Sequence, residues 1–397
     1  MKTLILVSLG VLCSSLFFSC TSNSVKEEVE DTNPLPSWAM GGFERPSGVN
    51  PIISPNAESM FFDPIIKDSV PWESNDTFNP GAVVYDGKVH VLYRAEDKSG
   101  EGIGYRTSRL GLASSADGIQ FDRLTSPVFY PNEDNQKEFE WPGGVEDPRV
   151  AVTEDGLFVM FYTQWNRKVP RIGVATSKNL LSWEKHGPIF RGNKSIPSLG
   201  DTHTKSVSIV TELKDGKQVI TKVNGKYWIY WGEHGVYGAT SDDLVQWEPV
   251  VNEKGELHAF ISPREGFFDS SLTECGPPAI VTEDGILLLY NGRNDPEKGD
   301  SRFNKGTYSA GQVLFDKSDP TKVIGRLDVP FLRPLEDFEK SGQYKDGTVF
   351  IQGLTFYKDK WYLYYGCADS RVAVAVYDPN KKPAADPLPV FQSKSQE

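Results

Sequence analysis

One unit recurs five times along this chain, and it constrains the fold more than any other feature. An apolar strand runs into a tight turn and returns as a second strand rich in aromatics. The copies read GAVVYDGKVHVLYR (81–94), RVAVTEDGLFVMFYTQ (149–164), VITKVNGKYWIYWGE (219–233), PAIVTEDGILLLYNG (278–292) and IQGLTFYKDKWYLYYG (351–366). Their turns are Asp86-Gly87, Asp155-Gly156, Asn224-Gly225, Asp284-Gly285 and Lys358-Asp359. Asp-Gly and Asn-Gly are strong short hairpin signals, because both central residues of the favoured turn need positive φ. Each copy precedes a further strand-and-turn stretch, such as GLASSADGIQF (111–121) or GATSDDLVQWE (238–248). About four strands per repeat and five repeats predict an all-β, five-bladed β-propeller.

Composition agrees with that reading. The 397 residues include 36 glycines, 27 prolines and 12% aromatics, and no long helical period interrupts the turns. Length alone suggests several domains, but a ring of repeats packs as one. Trp183 and Trp247 occupy matching repeat positions and are expected to be core packing.

Ahead of the repeats lies a different kind of sequence. Lys2 precedes an apolar run from Leu4 to Phe18, too short to span a bilayer as an ordinary helix. Ser19-Cys20 follows, in the manner of a lipoprotein cleavage site. Residues 1–20 are therefore expected to be a signal segment ending at a lipidated Cys20. Residues 21–50 are an acidic, Pro-containing tether and lead-in, and 51–397 the propeller. The expected location is outside the cytoplasm, anchored by lipid at the outer membrane, on its periplasmic face or at the cell surface.

The formal charge is −12, which disfavours nucleic acid and anionic surfaces as partners. No CxxC or HExxH spacing occurs, so neither a metal nor a cofactor is expected. Cys275 and Cys367 lie within the repeats, and their pairing is not readable from the sequence.

In an antiparallel hairpin, the residues before the first strand and after the second share one edge. Asn79, Glu146, Asp147 and Glu274 stand before first strands. Arg94 to Asp97, Glu233-His234, Asn291 to Arg293 and Asp369 stand after second strands. One edge thus collects acids, arginines and amides from all five repeats, and in a ring that edge is the rim of a central depression. Trp141, Trp165 and Trp231 lie near it, where an aromatic face stacks on a sugar or packs inward. Glycosidic cleavage needs one acid to protonate the departing oxygen and another to activate water or attack carbon. A set of ion pairs between repeats is the alternative.

At these residues the chain resembles glycoside hydrolase family 130, the mannoside phosphorylases and β-mannosidases. The resemblance covers roughly residues 75 to 378. Its most specific piece is Gly144-Val145-Glu146-Asp147-Pro148-Arg149. Phe78-Asn79-Pro80-Gly81-Ala82, Tyr93-Arg94-Ala95-Glu96-Asp97 and Tyr365-Gly366-Cys367-Ala368-Asp369 support it. The resemblance implies a five-bladed propeller and two available chemistries. Asp147 matches the proton donor of the phosphorylases, which also carry a basic set for phosphate. Here the corresponding place reads Trp231-Gly232-Glu233-His234, with Lys205 and Arg171 as remnants of the basic set. Glutamates at Glu233 and Glu274 match the hydrolytic branch, which cuts β-1,2-mannosidic linkages.

The resulting expectation is an inverting β-1,2-mannosidase acting on mannan-type glycans or oligosaccharides. Glu233 and Glu274 are the expected acid/base machinery. Asp147 binds the mannose or donates the proton. Asn79, Arg94, Glu146, Arg149 and Asp369 bind hydroxyl groups or steer carboxylates, with Lys205, His203 and His234 as further contacts. A phosphate-dependent phosphorylase and a non-catalytic glycan-binding lipoprotein are the alternatives. The sequence does not fix the oligomeric state.

Overall fold

The computed structural model describes residues 34–389. The signal segment, Cys20 and the start of the tether lie outside the described residues. The described chain is almost entirely β, with one four-residue helix (Lys137–Glu140) and two short 3₁₀ turns.

Four of the five expected hairpins form as read from the sequence. Asp76–Tyr85 pairs with Lys88–Glu96, Gly144–Val152 with Phe158–Trp165, and Val349–Tyr357 with Lys360–Cys367, each antiparallel. In the fourth repeat, Leu272–Cys275 and Ala279–Val281 pair with Ile286–Arg293. Asp86 and Gly87 (φ 47° and 70°) and Asn224 and Gly225 (φ 51° and 84°) take the left-handed backbone their turns require. Lys358 and Asp359 do the same without a glycine, at φ 48° and 60°.

The third repeat departs from expectation. Its turn at Asn224-Gly225 is present, but residues 219–223 are not one strand entering it. Val207–Lys214 supplies the partner for Ile229 to Trp231, and Lys222–Val223 pairs only with Lys226 and Tyr227. A small hairpin, Val207–Lys214 against Lys217–Ile220, is inserted between them. Its own turn, Asp215-Gly216, carries the same dipeptide signal and disguised the true first strand.

The hairpins share sheets. The first and second belong to one eight-stranded sheet and the third and fourth to one of eleven strands, while the fifth is three-stranded. The merging comes from parallel pairing between neighbouring repeats, Ser108 with Gly144 and Val210 with Ala279. The first strands also converge through side chains, with Asn291 of a second strand joining them. Gln352 donates to the carbonyls of Asn79 (2.7 Å) and Pro148 (2.8 Å), Asn291 to Ile351 (3.1 Å), and Ser208 to Gly276 (3.1 Å). Five apolar clusters fill the space between repeats.

Trp247 is buried against Phe161. Trp183 makes the same loop contact, indole N–H to the carbonyl three residues back (3.0 Å for Trp183, 3.2 Å for Trp247), but is only half-buried. Cys275 and Cys367 are both free and buried.

Candidate active site

Asn79 and Asp147 do not precede their strands, as the sequence suggested. They lie inside them, at β-bulges where the register shifts between Phe78 and Gly81 and between Glu146 and Arg149. An extra residue there turns a side chain that alternation would have sent elsewhere. Asn79 sits at φ 46° and Asp147 at φ 50°, with a proline next in each case; Ser206 holds φ 60° at the equivalent point of the third repeat. Such non-glycine conformations cost on the order of 1–3 kcal/mol and persist only where the surroundings impose them. The bulges therefore aim Asn79, Asp147 and the Ser206 region at one centre.

Arg94 organises one wall of that centre. Its guanidinium binds Glu96 (2.6 Å), Glu146 (2.8 Å) and Asp147 (3.2 Å), its Nε donates to Ser108 (3.1 Å), and it lies over the Phe78 ring at 4.6 Å. Asn79 donates to Asp147 at 2.9 Å. Lys205 approaches the other oxygen of Asp147, with its ammonium 3.7 Å from Asp147 and 4.0 Å from Glu233. His203 meets Glu233 at 2.6 Å, and exposed His234 stands 3.8 Å from the same carboxylate. Glu274 accepts from the Ser206 hydroxyl and has Arg149 at 3.7 Å.

The acids separate into two electrostatic groups. Burial raises Asp147, but Arg94, Lys205 and Arg149 outweigh it and hold the carboxyl well below its usual range. Burial likewise raises Glu233, but the His203 hydrogen bond and Lys205 bring it down to about 2. For Glu274 burial prevails over Lys205 and pushes the carboxyl up to about 7. Glu146 rises to about 7 and half-buried Asp369 to about 6, also by burial. One cluster thus holds ionised and protonated carboxyls side by side near neutral pH, the requirement for paired acid and base work.

Two depressions open at this cluster. The inner one, of about 210 Å³, takes in Asn79, Asp147, Glu274 and Asp369. The outer one, of about 180 Å³, takes in Glu146, Trp165 and His203. Arg94, Ile103, Lys205 and Glu233 belong to both and form the ridge between them.

Other expected contacts fall elsewhere. Arg149 lines neither depression, because it is buried behind the wall. Its donors go to the carbonyls of Asp147 (3.0 Å) and Cys275 (3.0 Å) and to Ser206 (3.1 Å). Trp231 is buried against Phe190 and Tyr237, so of the three rim tryptophans only Trp165 reaches a depression. Arg171 is occupied by the carbonyls of Gly200 and Asp201 and lines neither.

Sequence reasoning missed Tyr308, Tyr344, Phe350 and Ile103, which complete the walls. Tyr308 and Phe350 lie in strands with nothing in the sequence to set them apart from core aromatics, and Tyr344 lies in a loop. Ile103 had a signal: it is the one large aliphatic residue within the glycine-rich stretch SGEGIGYR, and the structure leaves it 53% exposed. That loop is held down by the Trp165 indole donating to Gly104 (2.8 Å).

Comparison with known proteins gives concordant likenesses. A sequence model of glycoside hydrolase family 130, described as beta-1,4-mannooligosaccharide phosphorylase, matches residues 47–381. A 1,2-beta-oligomannan phosphorylase of Thermoanaerobacter sp. is 33% identical over 333 residues, 83% of this chain and 95% of the relative. A solved glycosyl hydrolase from Bacteroides ovatus is 62% identical with a TM-score of 0.88, covering 90% of this chain and 100% of that one. A second structure comes from work on glycoside hydrolases, within this family of mannoside phosphorylases, that target β-1,2 mannosidic linkages in Candida mannan. It is 61% identical with a TM-score of 0.89, covering 90% of this chain and 100% of the other.

Proposed function

The chain belongs to glycoside hydrolase family 130, and from that premise we propose that it hydrolyses β-1,2-mannosidic linkages in mannan-type glycans, with water and not phosphate as acceptor. The observation that carries this reading is the place of Glu233. Its carboxylate stands before Lys205 on the ridge between the two depressions, where an attacking phosphate would need cations. Two like charges about 4 Å apart repel by about 4 kcal/mol at an effective dielectric near 20. Water carries no such penalty.

The inner depression receives the mannose to be released, with Asn79, Asp147 and Asp369 at its hydroxyl groups. The outer one receives the rest of the glycan against Trp165. Glu233, held ionised, takes a proton from water as the water oxygen bonds to the anomeric carbon. Glu274, held protonated, gives its proton to the departing glycosidic oxygen. Glu233 belongs to the third repeat and Glu274 to the fourth, and they are held by His203 and Ser206, which stand close together ahead of the strand Val207–Lys214. That arrangement suits attack by an intervening water with inversion, in which the carboxyls stand roughly 6.5–9.5 Å apart. We read the five hairpins as the five blades of a propeller, supported by the convergence of their first strands.

The test is incubation with β-1,2-mannobiose, with and without phosphate, followed by proton NMR at early times. Free α-mannose in both samples is the expected result. Mannose 1-phosphate as the main product identifies a phosphorylase, and binding without cleavage a glycan-binding protein; either overturns the reading.

A further inference from the structure

Beside the inner depression lies a second kind of cavity, of about 270 Å³. The two are close neighbours. Thr307 and Gly347 line this one, while the next residues in the chain, Tyr308 and Thr348, line the inner depression. The Tyr308 amide donates to the Gly347 carbonyl at 3.0 Å, so a single layer of backbone separates them.

The lining is strongly basic. Arg302, Arg333, Lys340 and Lys345 face one carboxylate, Asp346. Arg302 is neutralised by Asp300 at 2.6 Å. The other three form no ion pair among the described residues. Arg333 is half-buried, and its Nε donates to the Pro387 carbonyl at 2.6 Å. The nearby acids are already engaged: Glu339 and Asp386 pair with Arg45 at 2.7 Å and 3.2 Å. Burial accordingly pulls the Arg333 guanidinium below its ordinary value. In a chain of formal charge −12, this lining gathers four cationic side chains against the single carboxylate of Asp346.

We propose that this cavity binds a phosphate ester carried on the glycan, beside the residue being cleaved. The proposal rests on the mannan-type substrate reading. A phosphate group fits because it presents several acceptor oxygens in different directions, matching the planar guanidinium of Arg333 and the ammonium groups of Lys345 and of Lys340, which donates to the Leu335 carbonyl. Its position implies that charged branches are accommodated near the cleaved sugar, whereas the carboxylates of the cleavage site itself repel anions.

The experiment compares two ligands: a mannan bearing phosphodiester groups and the same mannan after removal of its phosphate. Binding is measured by affinity electrophoresis in the Glu233→Gln background, so that the ligand is not consumed. The phosphorylated mannan is expected to bind roughly tenfold more tightly at low salt, and the preference to fade between roughly 50 and 200 mM salt. Lys340→Ala combined with Lys345→Ala is expected to abolish the preference. Both side chains are exposed, so the fold is retained, and β-1,2-mannobiose cleavage in the otherwise native protein should be unchanged. Equal binding of the two mannans, or a preference that survives the double substitution, overturns the proposal. So does lysine-dependent binding to phosphatidylglycerol vesicles without any preference between mannans, which assigns the cavity to a lipid surface. Failure of the native protein to cleave mannobiose overturns the hydrolase reading instead, and leaves this binding comparison interpretable.

Discussion

The two ends of each hairpin carry similar residues and treat them in opposite ways. At the turn end, Asp86, Asp155, Asn224 and Asp284 are exposed, and their polarity costs nothing because water solvates it. At the other end, Asn79, Glu146, Asp147 and Glu274 are buried. There water is replaced by Arg94, Lys205, Ser206 and Arg149. An acid at the turn end serves backbone geometry. An acid at the bulged end has its protonation state set by its neighbours, which is what gives it chemistry. The lesson is that an Asp or Glu beside a strand says little until its solvation is known.

The largest effect should come from breaking the bulged end directly. Glu233→Gln and Glu274→Gln should each lower turnover on β-1,2-mannobiose by roughly 10²–10⁴-fold while the melting curve stays cooperative. Because burial raises Glu274 to about 7, its donor form is present below that pH and is lost above it. Native activity should therefore decline as pH climbs past about 7, and the Glu274→Gln variant should lose that limb. Near-normal turnover in either variant would make the residue a mere ion-pair member.

Next in size is removal of the central cation. Arg94→Leu leaves Glu96, Glu146 and Asp147 buried without their common partner. Stranding one side of a buried ion pair typically costs about 3–5 kcal/mol. Burial already raises Glu146 to about 7 against the pull of Arg94, and without the cation it rises further above its unfolded value. The folded form then binds the extra protons, so the deficit should be smallest in mild acid and should grow as pH rises to neutrality. Thermal melts across that range check it, and an unchanged melting temperature at neutral pH contradicts it.

The smallest effect should appear at the turn end. Lys358 and Asp359 hold positive φ without a glycine. Lys358→Asn with Asp359→Gly should relieve that strain and stabilise the protein by roughly 1 kcal/mol. Activity should not change, because this turn lies at the end of the hairpin away from the carboxylates. A loss of turnover would show that the two ends are coupled.

The hairpins were legible in the sequence because their causes are local. Period-two apolar strands and Asp-Gly or Asn-Gly turns need no distant partner to be recognised. Where the reading slipped, in the third repeat, a second Asp-Gly turn competed with the first and only strand pairing chose between them. The residues of the central cluster were likewise legible, since Asn79, Arg94, Asp147, Glu233 and Glu274 all stand at corresponding edges of their repeats. Their states were not. Nothing local in the sequence makes Glu233 an anion and Glu274 an acid near neutral pH. His203 and Ser206, which hold them, lie about 30 and 68 residues earlier in the chain. The sequence by itself determined the repeating β architecture and the supply of charged groups to one edge. Only the tertiary structure decided which of those groups face a cavity, which are sealed behind it as Arg149 is, and which carry a proton, because burial and charge pairing are properties of neighbours in space.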